Sequence, residues 1–240
     1  MRRRLRSLLL LSFAAASPHD ARLAAQPAPA TSATPLTPFD ERKARALLAT
    51  MLPCLGCHEL DGDGGAVGPS LTRVGDRRSA NYIRAIIDDP QGVVPGSAMP
   101  RTRMDASTRE LVIALLSRGA HGADAAPRAA PAPAVSAVPS GAALYARWCA
   151  ACHGATGKGD GPNAKRLPVP PRAHANAARM SQRGDDALYD TIAGGGAVMG
   201  MSARMPAFGA TLSDAELRAL VSYLRVLCAC AGPAWSRGAP

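Results

Sequence analysis

"CLGCHELDGDGG" (Cys54 to Gly65) and "CAACHGATGKGDG" (Cys149 to Gly161) are the two stretches that decide how this chain is read. Each is a Cys-x-x-Cys-His followed by a glycine-rich tail. Such a motif can hold zinc, cycle as a redox dithiol, or carry a covalent haem. Zinc fits poorly, because 91 residues separate the two cysteine pairs and a four-thiolate site leaves both histidines unexplained. A thioredoxin-like dithiol needs a βαβ context, and no strand pattern of useful length is present. Covalent haem accounts for every element: the thiols add across the porphyrin vinyl groups and the adjacent imidazole is then held beneath the iron.

Outward from the motifs, the surroundings repeat as well. A helical pattern, "FDERKARALLATML", with Asp40 as a candidate N-cap, runs into the first motif. After it come a glycine-rich loop to Pro69, a short helix over Ser79 to Asp89, an irregular "PQGVVPGSAMP", and a helix "DASTRELVIALLSRG" closed by Gly119. The second half follows the same plan. Ser140 caps "GAALYARWCAACH", "GDDALYDTIAGGG" gives a middle helix, and "TLSDAELRALVSYLRVL" closes the unit. His58 and His153 lie 95 apart, whereas Glu110 and Glu216 lie 106 apart, and on that second offset Met99-Pro100 falls on Met205-Pro206. The second half thus carries 11 extra loop residues but keeps its methionine fixed relative to its last helix. A duplicated histidine and a duplicated methionine are what an iron with two axial ligands needs.

Composition agrees with a bound group filling the interior. Aromatic residues are only 4% of the 240, while 23 glycines and 21 prolines make the chain loop-rich. Two units of this size have thin cores on such side chains alone, and the apolar face of a haem supplies what is missing. "MRRRLRS" followed by the apolar run Leu8 to Ala16 has the form of an export signal, with cleavage after Ala16 or, preferably, Ala25. Residues 1–25 are therefore assigned as signal peptide, 26–38 as a Pro/Ala/Thr spacer, 120–139 as an Ala/Pro linker and 229–240 as a tail. No later run reaches a membrane-spanning length. Haem attachment takes place after export, so the expected compartment is the periplasm.

The formal charge of +10 falls to +6 once the leader's five arginines and one aspartate are set aside. Residues 140–240 hold 11 basic and 6 acidic groups, against 11 and 10 in residues 39–122. Nothing interleaves aromatic with basic residues as single-strand binders do, and nucleic acid is not an expected partner. The basic second half points instead to an acidic protein surface.

Each half resembles a class I c-type cytochrome domain, over residues 39–119 and 140–228. The first, with "CLGCH", "GPSLTRVGDRRSANYIRAIIDDP" and "PGSAMP", is similar to cytochrome domains attached to oxidases and dehydrogenases. The second, with "CAACHGATGKGDGP", "LPVPPR" and "MPAFGATLSDAELRALVSYL", is similar to haem-c domains of oxidase subunits and dehydrogenase electron acceptors. The resemblance implies an all-α fold of two tandem units, each a few helices wrapped around one covalent haem. It implies attachment at Cys54, Cys57, Cys149 and Cys152, proximal ligands His58 and His153, and distal ligands Met99 and Met205. A carbonyl that accepts the proximal imidazole N–H is also implied. Pro69 fits that role in the first half; Pro162 and Pro171 compete for it in the second.

The implied activity is single-electron transfer between redox proteins, with no small-molecule substrate, because both irons are six-coordinate. A dihaem peroxidase-like enzyme is the rival from another class, and needs one iron with a labile sixth position. A cytochrome subunit held in a dehydrogenase or oxidase complex shares the carrier's chemistry. Other groups have plainer expectations. His174 reads as solvated surface, as do His19 and His121. Arg101, Arg103 and Arg204 read as a docking rim or solvated surface. Met51, Met104, Met180, Met199 and Met201 read as packing or loop residues, and Cys228 and Cys230 as a short disulfide or free thiols.

Overall fold

In a computed structural model, residues 36–119 and 138–234 are described. The expected signal peptide, most of the spacer and most of the linker lie outside them. Nine α-helices and one two-residue β-ribbon are found among the described residues.

The first half opens with α1 (Pro38–Thr50), whose N-cap is Thr37 rather than Asp40. The Thr37 hydroxyl accepts the Asp40 N–H, and Pro38 sits where a helix tolerates proline because that N–H has no partner to lose. The chain then tightens into a 3₁₀ turn over Pro53–Gly56 that carries the first motif. Its tail is not plain loop. Glu59–Leu60 (β1) pairs antiparallel with Asp63–Gly64 (β2) across Asp61-Gly62, both at positive φ. An Asp-Gly pair is suited to that turn, since its twist matches that of the strands it joins. Then come α2 (Ala80–Asp88, capped by Ser79), the single turn α3 (Pro90–Val93), and α4 (Ala106–Leu116, capped by Asp105).

The second half repeats the order with α5 (Gly141–Trp148, capped by Ser140) and the single turn α6 (Ala150–His153). After them come the single turn α7 (Ala177–Met180), α8 (Asp185–Val198) and α9 (Asp214–Cys228). A complete capping box opens α9: Ser213 Oγ accepts the Glu216 N–H while Glu216 accepts the Ser213 N–H.

In each half the first and last helices cross and bury one seam. In the first, α1 presents Ala44 and Leu48, both 0% exposed, to Val112, Ile113, Leu115 and Leu116 of α4. In the second, Leu144 and Tyr145 of α5 meet Leu217, Leu220, Val221 and Leu224 of α9, with the Tyr145 and Tyr223 rings 5.4 Å apart. Aliphatic packing in the first half takes the place of that aromatic pair. Cys228 and Cys230 are joined as a disulfide where α9 ends.

The described residues, 36–119 and 138–234, belong to one compact unit. Its halves touch through hydrogen bonds. Arg101 N–H donates to Thr211 Oγ1 at 2.8 Å, and Arg147 donates to the Ser97 carbonyl at 3.0 Å. No helix among the described residues is long and apolar enough to cross a membrane.

Candidate functional site

Both motifs sit just after a first helix, at a point where the backbone turns. Cys149 caps α5 and opens α6, so Cys152 and His153 follow within one helical turn, and the His153 N–H returns to the Cys149 carbonyl at 2.9 Å. In the first half the His58 N–H returns to the Cys54 carbonyl at the same distance. Two thiols and an imidazole are thereby presented together in each half.

Each imidazole is held from behind by a carbonyl. His58 Nδ1 lies 2.7 Å from the Pro69 oxygen. His153 Nδ1 lies 2.8 Å from the Arg172 oxygen, so neither Pro162 nor Pro171 takes the role. Such a partner orients the ring and leaves Nε2 as the outward ligand atom. Burial lowers the basicity of both imidazoles, the carbonyl contact opposing it, which favours the neutral ligand form.

Burial also pushes the thiols up, Cys54 and Cys57 to about 11 and Cys149 to about 12, with Cys152 raised as well. A redox dithiol wants the reverse, a depressed thiol that yields a nucleophilic thiolate. Nor do the four cysteines build a zinc site: among the described residues no three His, Cys, Asp or Glu side chains are gathered to hold a metal ion.

The second set of donors converges on one space. Cys149, Cys152, His153 and Met205 all line a cavity of about 300 Å³, whose other walls include Leu188, Ile192, Phe208 and Leu220. Arg172, Arg183 and Arg204 also line the cavity. A mostly apolar space with two thiols, an imidazole and a thioether fits a covalently held haem. The loop carrying Met205 is bonded onto α8. Gly196 N–H donates to the Met205 carbonyl at 3.0 Å, and Phe208 N–H to Ile192 at 3.0 Å. This docking needs Gly195, whose φ of 78° bends the helix and whose Cβ would lie 2.8 Å from the Ala207 nitrogen.

In the first half Met99 is half-buried next to buried Pro100. Its backbone is fixed by Ser97 Oγ, which accepts the Met99 N–H, and by Gln91, which donates to the Met99 carbonyl at 2.6 Å. Met104 packs instead against the α1–α4 core, as does the Cys54 side chain.

Two residues depart from their sequence reading. His174 lines the second cavity, where its ring stacks on His153 at 4.0 Å between centroids and its Nδ1 lies 3.1 Å from the Tyr145 hydroxyl. Burial drives its basicity down to about 3, so it is a neutral ring in a half-buried stack. Arg204 is 8% exposed; it donates to the Leu55 carbonyl at 2.9 Å and pairs with Asp63 at 2.8 Å. Arg101 stays exposed, paired with Asp89. Met201 also lines the second cavity, and Met180 belongs to the core beneath it.

Residues 42–116 match the family model described as cytochrome c, and residues 136–224 match the one described as cytochrome c oxidase, cbb3-type, subunit III. Together the two matches make the chain a c-type cytochrome built as two such units in tandem. No curated protein and no solved structure matches it. Cytochrome c units bind haem c covalently and transfer electrons.

Proposed function

We propose that the chain holds two haem c groups and passes single electrons between redox proteins in the periplasm. Cys54, Cys57, His58 and Met99 serve the first, and Cys149, Cys152, His153 and Met205 the second. When bound, each group supplies an iron that cycles by one electron, at a potential raised by a thioether ligand. The protein's own residues do the rest. The cysteines fix the group in place, and Pro69 and Arg172 aim the imidazoles. Met99 and Met205 would serve as the ligands opposite the histidines, which would leave no position for a small substrate. The observation that carries this reading is the convergence of both thiols, the imidazole and Met205 on one apolar cavity.

The match of the second half to a family model named for an oxidase subunit supports a closer variant, in which the chain works as the cytochrome subunit of a larger oxidoreductase. The basic balance of that half supports an acidic docking partner. The mass of the exported protein after acid–acetone extraction is the test. Two retained haems are expected, and one or none overturns the two-haem reading.

A further inference from the structure

Asn163 is a fully buried amide, 1% exposed, and it is held by both halves at once. Its Nδ2 donates to the Gly56 carbonyl at 2.5 Å, inside the first attachment motif, and its Oδ1 accepts the Ala66 N–H at 3.0 Å. The same Nδ2 lies 3.6 Å from Cys152 Sγ, an attachment atom of the second motif, and the Asn163 N–H donates to the Ala151 carbonyl. One amide therefore touches the residue preceding Cys57 and the sulfur of Cys152.

The surroundings are shaped to keep it there. A Cβ on Gly65 would lie 2.7 Å from both atoms of the amide, and a Cβ on Gly56 would lie 2.2 Å from the Arg204 carbonyl. Only glycine at position 65 lets the two attachment loops approach so closely, and only glycine at position 56 admits the backbone beside Met205. A buried amide is costly unless its hydrogen bonds are made, and simple docking is served as well by an apolar side chain. A satisfied amide wedged between two attachment motifs suits a different task. Tunnelling decays steeply across empty space and more gently through bonded and hydrogen-bonded atoms, so a packed polar contact between the two sites is a favoured route.

We propose that Asn163 is the bridge through which the two haem sites exchange an electron, an inference that rests on the two-haem reading. The step moves one electron from the reduced centre to the oxidised one; no bond forms or breaks, no proton is transferred, and no outside oxidant is needed. Electrons can then enter at one half and leave at the other without a partner moving between them.

The half-reduced, full-length holoprotein provides the test. Magnetisation exchange between the axial-methionine methyl resonances of the oxidised and reduced centres separates a concentration-independent, intramolecular rate from the collisional one. Asn163→Leu is expected to lose most of the intramolecular rate while both methionine signals persist. Thr211→Val, which removes a different hydrogen bond between the halves, is expected to keep it. If the leucine variant does not load haem, Asn163→Asp, which puts an oxygen in place of the Nδ2 donor, is expected to show the same loss. Retention of the rate in the Asn163 variants, or equal loss in Thr211→Val, overturns the bridge. A wild-type protein with two methionine-ligated haems and no intramolecular exchange also overturns it, yet leaves the carrier reading standing. A protein without two haems sinks the carrier reading itself.

Discussion

Met201 and Met205 both line the second cavity, and both are tied to Gly196, one through its N–H and the other through its carbonyl. Only Met205 is followed by the proline that matches Met99-Pro100. Met205→Ala is therefore expected to abolish one methionine–iron charge-transfer band and lower one midpoint potential, while Met201→Ala leaves both unchanged. Met99→Ala should do the same for the other haem. Met104→Ala should lower stability through its packing on the first core and leave both bands intact. The motif cysteines and histidines are legible in the sequence because covalent chemistry fixes both residue type and spacing. The orienting carbonyl is not, because any residue offers one, and Arg172 takes the role as readily as the proline beside it. His174 and Arg204 were equally illegible. What buries them is another segment folding over them: Tyr145 and His153 for the first, Leu55 and Asp63 for the second.

Helix ends were easier to read, since a cap needs only its neighbours. Ser140 caps α5 as expected, and Ser79, Asp105 and Ser213 cap α2, α4 and α9. Asp40 did not, because Thr37 stands before the proline that starts α1. The Asp61-Gly62 hairpin had a usable signal, but two-residue strands are too short for alternation to reveal them. Ser213→Ala is expected to cost about 1 kcal/mol, read as a lower denaturation midpoint at unchanged slope. Leu48→Ala, at the fully buried seam of α1 with α4, should cost roughly 2–5 kcal/mol. A more specific outcome is expected at α8. Gly195→Ala puts a side chain where φ is 78° and the Met205 loop rests, so it should weaken ligation at the second haem and spare the first.

The whole molecule meets acid through its surface ion pairs. Glu41 is held below the usual carboxylate range by Arg118 and Arg45, Asp89 by Arg101, and Glu110 by Arg84. A depressed carboxylate stabilises the fold at pH values above its unfolded pKa, and that contribution is lost as the pH falls through the folded value. These pairs are exposed, so each contributes little. A gradual loss of stability is expected below the ordinary carboxylate range, checked by denaturation as a function of pH, and Arg118→Ala should move its onset to higher pH. Partner encounter should slow as salt is added, as steering by the basic second half requires. Carbon monoxide should not bind either native haem rapidly; fast stoichiometric binding with saturable peroxide reduction would favour the enzyme reading.

The hydrogen bonds that join the halves run from Arg101 to Thr211, from Arg147 to Ser97, and from Asn163 and Arg204 into the first motif. These bonds are made by the two halves themselves, so the chain is in effect a heterodimer written as one polypeptide. A break between Arg128 and Ala129, in the expected Ala/Pro linker, should therefore leave two fragments that travel together through a sizing column and still share their electron.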